Sequence, residues 1–241
     1  MKIIVLTTNT LHHIHFVRAV TQRFPIHTVI VEADIVRVPF EIHHPFEDQQ
    51  EQYEKQLWFD GGDGVMEDYV AVYKTRSVND DHVLRYIRQI VPDIILVFGT
   101  RKISPEITTV CPKGALNLHG GDPEKYRGLD SHLWAIYHND FSSLDVTLHR
   151  VNDILDNGDI VARKNIILSA QMYVYELRRH RTDLCVELVR NTLETFQKTN
   201  AISALPQKAK GRYYSFMPAV LKEQVVEKFA AYTAALGGQK K

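Results

Sequence analysis

The chain has only two cysteines in 241 residues, Cys111 and Cys185, and they lie far apart. Neither a disulfide framework nor a thiolate metal site can be built from them, and such usage fits a reducing, cytoplasmic compartment. Each reads instead as a small buried hydrophobe. Long apolar runs are also missing, and nothing approaches the ~20 residues that a membrane-spanning helix needs. The opening "MKIIVLTTNTLHHIHF" turns polar too soon for a secretory leader. Net charge is absent, with 29 basic residues against 29 acidic ones, so the broad cationic footprint of a nucleic-acid binder is not expected. From Gln171 onward twelve Lys or Arg face six Asp or Glu, and the first 170 residues carry the opposite imbalance. That basic surplus suits a solvated helix face, or contact with a phosphate or an acidic surface. No glycine fingerprint for a dinucleotide follows the first strand, where the chain reads "TTNTLHH".

What is present is an alternation of strands and helices. "KIIVLTT" is a branched, continuous apolar run of the kind buried on both faces of a parallel sheet. The next sixteen residues open on an Asn or Thr cap and repeat Ile14, Val17 and Val20 at helical spacing. "YVAVYKT", "SVNDDHVLRYIRQIVP" and "DIILVFGT" read as strand, helix and strand, a right-handed crossover between parallel neighbours. "ALNLH" is a further strand, "LDVTLHRVND" and "GDIVARKNIILS" are two more joined by a turn, and a long helix runs from about Met172 to Gln197. The fold class expected is α/β, an open, mostly parallel Rossmann-like sheet flanked by helices. Residues 1–200 form the main unit. Residues 201–241 are too few to fold alone and are expected to pack on it or on a partner subunit.

Ligands of such sheets sit beyond the carboxyl ends of the strands. Gly99, Asn117 and His119 all fall at strand ends. Alternation puts residues 117 and 119 on one face, about 7 Å apart. An imidazole that titrates near ~6.5 can take and return a proton at neutral pH, and an amide beside it can donate to a developing oxyanion. The histidine also wants a carboxylate, and "NDILDNGDI" offers Asp153, Asp156 and Asp159. The pattern suits acyl transfer without a covalent nucleophile.

"ALNLHGGDPEKYRGLDSHLWAI" followed by "VTLHRVNDILDNGDIV" resembles the signature of the formyltransferases that use 10-formyltetrahydrofolate. The shared parts are Asn-x-His, a loop closing in Tyr-Arg-Gly, Trp-Ala-Ile on a helix, Val-Thr-x-His, and Asp-x-Gly-x-Ile. The similarity is good over roughly residues 65–170 and looser elsewhere. It implies a catalytic trio of Asn117, His119 and Asp156, the last chosen among the three acids because it begins the Asp-x-Gly pattern. In that reading an amine attacks the formyl carbon, Asn117 steadies the oxyanion, His119 carries the proton and Asp156 orients the histidine. The resemblance also implies a folate pocket of mainly backbone contacts at Val97, Phe98, Gly99, Thr100, Ile103, Asn152, Asp153 and Leu155. Gly120, Gly121, Tyr126 and Arg127 are expected on the acceptor side. Relatives carry Pro-Ser-Leu-Leu-Pro where this chain has Gly120-Gly121-Asp122-Pro123-Glu124, a departure that bears on how the acceptor lies.

The co-substrate implied is 10-formyltetrahydrofolate, and the acceptor implied is a nucleotide-linked amino-deoxy sugar, in a cytoplasmic homodimer. Methionyl-tRNA is the alternative acceptor. It is disfavoured by neutral charge and by about seventy residues after Ser169 where those relatives carry a further domain. His12 and His15, one helical turn apart, raise a metal-binding reading, but no cysteine or carboxylate completes a site and no metal is expected. A nucleotide-binding module without catalysis is the remaining alternative.

Overall fold

The computed structural model describes residues 1–34, 36–111 and 114–238. Lys240 and Lys241, which the sequence assigns to the C-terminal extension, lie outside the described residues. Strand β1 (Ile3–Thr7) is buried at every position, as its unbroken apolar run requires. Helix α1 (Leu11–Thr21), strand β2 (Ile26–Glu32), helix α2 (Pro45–Phe59) and strand β3 (Val72–Thr75) follow. The crossover expected from the sequence comes next, with helix α3 (Asp81–Ile90) leading into strand β4 (Ile94–Phe98). Helix α4 (Pro105–Val110) then precedes strand β5 (Ala115–His119), and strand β6 (Tyr126–Gly128) precedes helix α5 (Ser131–Tyr137). Strands β7 (Asp145–Arg150) and β8 (Ile160–Asn165), helix α6 (Leu177–Thr199), strand β9 (Arg212–Tyr214) and helix α7 (Ala219–Gly238) complete the order.

Seven strands form one sheet in the order β3-β2-β1-β4-β5-β7-β8. The first five run parallel, and β7 is antiparallel to both β5 and β8. The chain winds outward one way from β1 and the other way from β4, which opens a crevice at the carboxyl ends between them. Alternation sorts the side chains. Ile3, Val5, Leu96 and Leu116 join Phe16, Val17, Leu188 and Phe196 on one face, while Ile4, Leu6 and Ile95 meet Val83, Ile87 and Ile107 on the other. Val225 and Phe229 of α7 belong to the first of these clusters. No helix among the described residues is long and apolar enough to cross a membrane.

Two features were not expected from the sequence. The strand read from Tyr69 starts only at Val72, because Met66–Asp68 forms a 3-10 turn. In addition, the "YRG" of β6 pairs in parallel with the "RYY" of β9, Gly128 opposite Tyr214. Three-residue strands this far apart in sequence leave no periodicity to read.

Candidate active site

Leu116 and Leu118 of β5 enter the core, so Asn117 and His119 share the opposite face. The antiparallel register sets His149 of β7 across from Asn117 and Thr147 across from His119. The same alternation that buries Val146 and Leu148 therefore turns His149 toward Asn117. Past β7 the chain doubles back. Asp156 adopts a left-handed backbone at φ +52°, a region that Asp and Asn tolerate better than other non-glycine residues. Gly158 makes the return possible, since a Cβ there would stand 1.7 Å from the Arg150 carbonyl oxygen. The Asp-x-Gly spacing thus has a steric cause.

The Asp156 carboxylate is the hub. Its Oδ2 accepts the Gly128 N–H at 2.8 Å and stands 3.6 Å from His119 Nδ1. Its Oδ1 accepts from Asn117 Nδ2 at 3.3 Å and lies 3.5 Å from His149 Nε2. Gln207 donates to the Asp156 carbonyl at 3.0 Å and the Gly158 carbonyl at 2.9 Å, fastening the turn from the C-terminal segment. Burial pushes the Asp156 carboxyl up, but the His119 charge, contacts to His149 and the Gly128 N–H outweigh it and hold the group well below the usual carboxylate range.

Carbonyl oxygens only accept, and that fixes two tautomers. His119 Nε2 lies 2.8 Å from the Tyr126 carbonyl, so it carries hydrogen, and Nδ1 is the nitrogen turned to Asp156. His149 Nδ1 lies 2.7 Å from the Arg150 carbonyl, so in a neutral ring Nε2 is an acceptor, and Asn117 Nδ2 donates to it at 3.1 Å. Both Asn117 amide protons are then spent on His149 and Asp156. This differs from the expected oxyanion donor: as placed, the amide keeps its carbonyl oxygen for a substrate. Turning it over would face its oxygen to the Asp156 carboxylate, so freeing one amide proton instead requires a proton on His149 Nε2.

These groups open on a cleft of about 250 Å³. Val97, Phe98, Gly99, Thr100, Ile103, Asn152 and Leu155 line it, as do Asn117, His119, Asp156 and Gly120. Four of the residues singled out in the sequence do not. Asp153 is exposed beyond the rim. The Gly121 carbonyl accepts from Thr147 behind the wall. Tyr126 is buried, stacked on Tyr214, with its hydroxyl donating to Asp140. Arg127 donates to the Gly211 and Leu155 carbonyls at 2.7 and 3.0 Å, so it braces the wall instead of facing an acceptor. Glu32, buried at the end of β2, accepts the Arg101 and Val78 amides and so holds the loop that carries Thr100 and Arg101.

Sequence reasoning passed over His149 as a site residue, although it stood in the Val-Thr-x-His motif and its register with Asn117 was the signal to follow. It weighed the histidines of α1 only as metal ligands and left out Ser131 and Arg181, yet His12, His13, Ser131 and Arg181 all line the cleft and converge from α1, α5 and α6. His12 and His15 do not point together: His12 lies against the ring of His13, tilted by 43°, whereas His15 lies flat on Trp58. Among the described residues no group of three metal-ligating side chains could hold an ion.

An amide, two imidazoles and a carboxylate thus gather around a cleft at the carboxyl edge of an open sheet. The chain belongs to the formyl transferase family, whose pattern matches residues 1–189. Over 131 residues it is 32% identical to a methionyl-tRNA formyltransferase of Borreliella afzelii (strain PKo), covering 54% of this chain and 41% of that protein. The chain therefore matches less than half the length of that curated relative. Among solved structures it is similar in fold to HypX from Aquifex aeolicus in complex with tetrahydrofolic acid. There the TM-score is 0.60 at 20% identity, covering 100% of this chain and 35% of the other. It is also similar to WlaRD, a sugar 3N-formyltransferase crystallised in the presence of dTDP and 5-N-formyl-THF. That match has a TM-score of 0.55 at 16% identity, over 89% and 69% of the two chains.

Proposed function

We propose that this chain is an N-formyltransferase that moves a formyl group from 10-formyltetrahydrofolate to a primary amine. The observation that carries the reading is the Asp156 carboxylate, 3.6 Å from His119 Nδ1 and 3.3 Å from Asn117 Nδ2 at the cleft. Family membership supports it. The donor fits what the cleft offers. Val97, Ile103, Val151, Ile154 and Leu155 make an apolar slot suited to a flat ring. Beside them Thr100 Oγ1 is buried without a hydrogen-bond partner among the described residues, a state that a bound polar ring edge relieves.

When bound, the folate supplies the formyl carbon and the leaving nitrogen that takes up a proton. The residues of the chain do the rest. His119 Nδ1, which faces the Asp156 carboxylate, accepts the proton released as the amine nitrogen bonds to the formyl carbon. It then returns that proton as the bond to the folate nitrogen breaks, an effect of about 10²–10⁴ in rate. Asp156 keeps the ring oriented. Asn117 in its present orientation accepts an amine N–H. With His149 protonated at Nε2 that nitrogen no longer accepts from the amide, and the Asn117 Nδ2 proton so released can donate to the formyl oxygen, where such a donor typically lowers the barrier by about 3–4 kcal/mol.

For the acceptor, a nucleotide-linked amino-deoxy sugar is the reading we favour, supported by a fold match to a sugar 3N-formyltransferase over 89% of the chain. Methionyl-tRNA is the second reading, favoured by the 32% identity to a methionyl-tRNA formyltransferase. Residues 1–200 serve as the catalytic unit and residues 201–241 as its extension, which reaches the site through Gln207. The test is tetrahydrofolate release from 10-formyltetrahydrofolate against dTDP- and GDP-linked amino sugars, ornithine derivatives and charged methionyl-tRNA. Turnover with an amino sugar nucleotide supports the first reading and turnover with the tRNA alone the second. If no amine is formylated while a folate analogue still binds, the transferase reading fails.

A further inference from the structure

Beside the cleft lies a second cavity of about 180 Å³, walled by α1, α2, α5, α6 and the turns before them. His12, Asp130, Ser131 and Arg181 line both spaces and so stand at their junction. Two arginines one helical turn apart on α6 reach this inner cavity, and they differ in kind. Arg178 is satisfied, with Nε and Nη2 on the buried Glu54 carboxylate at 2.6 and 2.7 Å. Arg181 has no hydrogen bond or ion pair among the described residues. Its Nε is buried without an acceptor, and its guanidinium lies 6.0 Å from the centre of the Phe98 ring.

An arginine does not shed its charge when buried, and a buried cation without a counter-ion is costly to keep. Such a group is retained where something else completes it. Asp130 does not: it shares the walls, accepts the Met217 amide at 2.9 Å, and makes no ion pair with Arg181. The sequence also makes room for this side chain. A Cβ on Gly120 would stand 2.8 Å from Arg181 Cδ and 3.2 Å from Nη1. The glycine that departs from the related pattern directly after His119 is therefore what lets Arg181 reach the junction. The positive character of the space shows on its neighbour, since burial, and after it the charges of Arg181 and Arg178, hold His13 well below the ordinary imidazole range.

We propose that Arg181, in the space opened by Gly120, holds a carboxylate or phosphate of the amine acceptor, a few bonds from the nitrogen that receives the formyl group. Gly120 follows His119 directly, so the arginine packed against it stands beside the residue that moves the proton, and the anion is assigned to the acceptor and not to the donor. Asp130, on the same walls, attracts the ammonium form of that acceptor. The inference rests on the formyltransferase reading and narrows its acceptors to amines that carry a nearby anionic group.

Calorimetric titration of the full chain with inorganic phosphate and, separately, malonate tests the site without turnover and tells phosphate from carboxylate. One of the two is expected to bind, and to bind at least tenfold more weakly to Arg181→Met. Gly120→Ala, which crowds the arginine without removing it, is expected to weaken binding in the same direction. Arg179→Met, at a half-buried arginine paired with Asp183, should leave it unchanged. In turnover, an anionic acceptor should exceed its uncharged analogue at least tenfold in kcat/KM, and Arg181→Met should erase that preference with the donor KM unaltered. Failure of the wild-type protein to bind either anion, or a preference that survives in Arg181→Met, would overturn the proposal. So would an effect of Arg181→Met on the donor KM in place of the acceptor's. Arg181-dependent anion binding in a protein that formylates no amine would instead overturn the transferase reading and leave the anion site standing.

Discussion

Replacing Asp156 with Asn changes one atom at the hub and little else. Asn tolerates the left-handed backbone found at φ +52°, and its side-chain oxygen can still accept the Gly128 N–H that now binds Oδ2 at 2.8 Å. The loss is charge. At the 3.6 Å separation from His119 Nδ1, a carboxylate and an imidazolium attract by about 4–5 kcal/mol at an effective dielectric constant of about 20. If most of that attraction operates while His119 holds the proton, kcat falls about 10³-fold, inside the range for a positioned acid-base group. The assay is single-turnover transfer from 10-formyltetrahydrofolate to the best amine of the panel, beside a folate-analogue titration and a denaturant melt. Transfer is expected to collapse while analogue affinity and the midpoint of unfolding stay near wild type. A variant within tenfold of wild-type transfer would refute the assigned role, and so would one whose loss follows entirely from weaker folate binding.

Other outcomes follow from neighbouring contacts. His149→Phe removes the acceptor that holds the Asn117 amide at 3.1 Å, and kcat is expected to fall about 10- to 100-fold, the value of a lost buried hydrogen bond, with donor KM unchanged. Gly158→Ala would drive a Cβ to 1.7 Å from the Arg150 carbonyl oxygen, and denaturant melts should show a loss of about 3 kcal/mol. His132 is kept neutral by burial and then by the charge of Arg181, with its pKa lowered from 6.5 to about 3. The unfolded chain gains that proton first as pH falls. Stability from this group is therefore full above pH 6.5 and is lost progressively toward pH 3, amounting to about 2 kcal/mol by pH 5. Melts of His132→Asn between pH 6 and 4 should show a slope shallower by up to about 1.4 kcal/mol per pH unit.

Much of the sheet was legible because its strands obey a simple rule. Ile3–Thr7 and Ile94–Phe98 are buried on both faces and so read as unbroken apolar runs, while Ala115–His119 alternates and delivers Asn117 and His119 to one side. The Asp-Asn-Gly turn was legible in chemistry, but spacing left three acids open. Only the return forced at Gly158 brings Asp156 to the hub. Side chains on different elements were the hard part. Nothing near Arg181 in sequence reveals that Arg178 takes Glu54 and leaves its neighbour bare, since that depends on α2 meeting α6. Arg127 looked available to a substrate because its two acceptors are backbone carbonyls, at Leu155 and Gly211, and backbone acceptors leave no mark on residue identity. The basic, aromatic "KAKGRYYSF" of the C-terminal extension shows no strand alternation. Its central residues form β9 against β6.

The most direct measurement is rapid-quench formyl transfer by His119→Asn with saturating 10-formyltetrahydrofolate and amine, alongside folate-analogue binding by the same protein. If Nδ1 of this histidine carries the proton between the two nitrogens, the first-turnover rate drops by at least about 10² while the analogue still binds. A first turnover at the wild-type rate would contradict it.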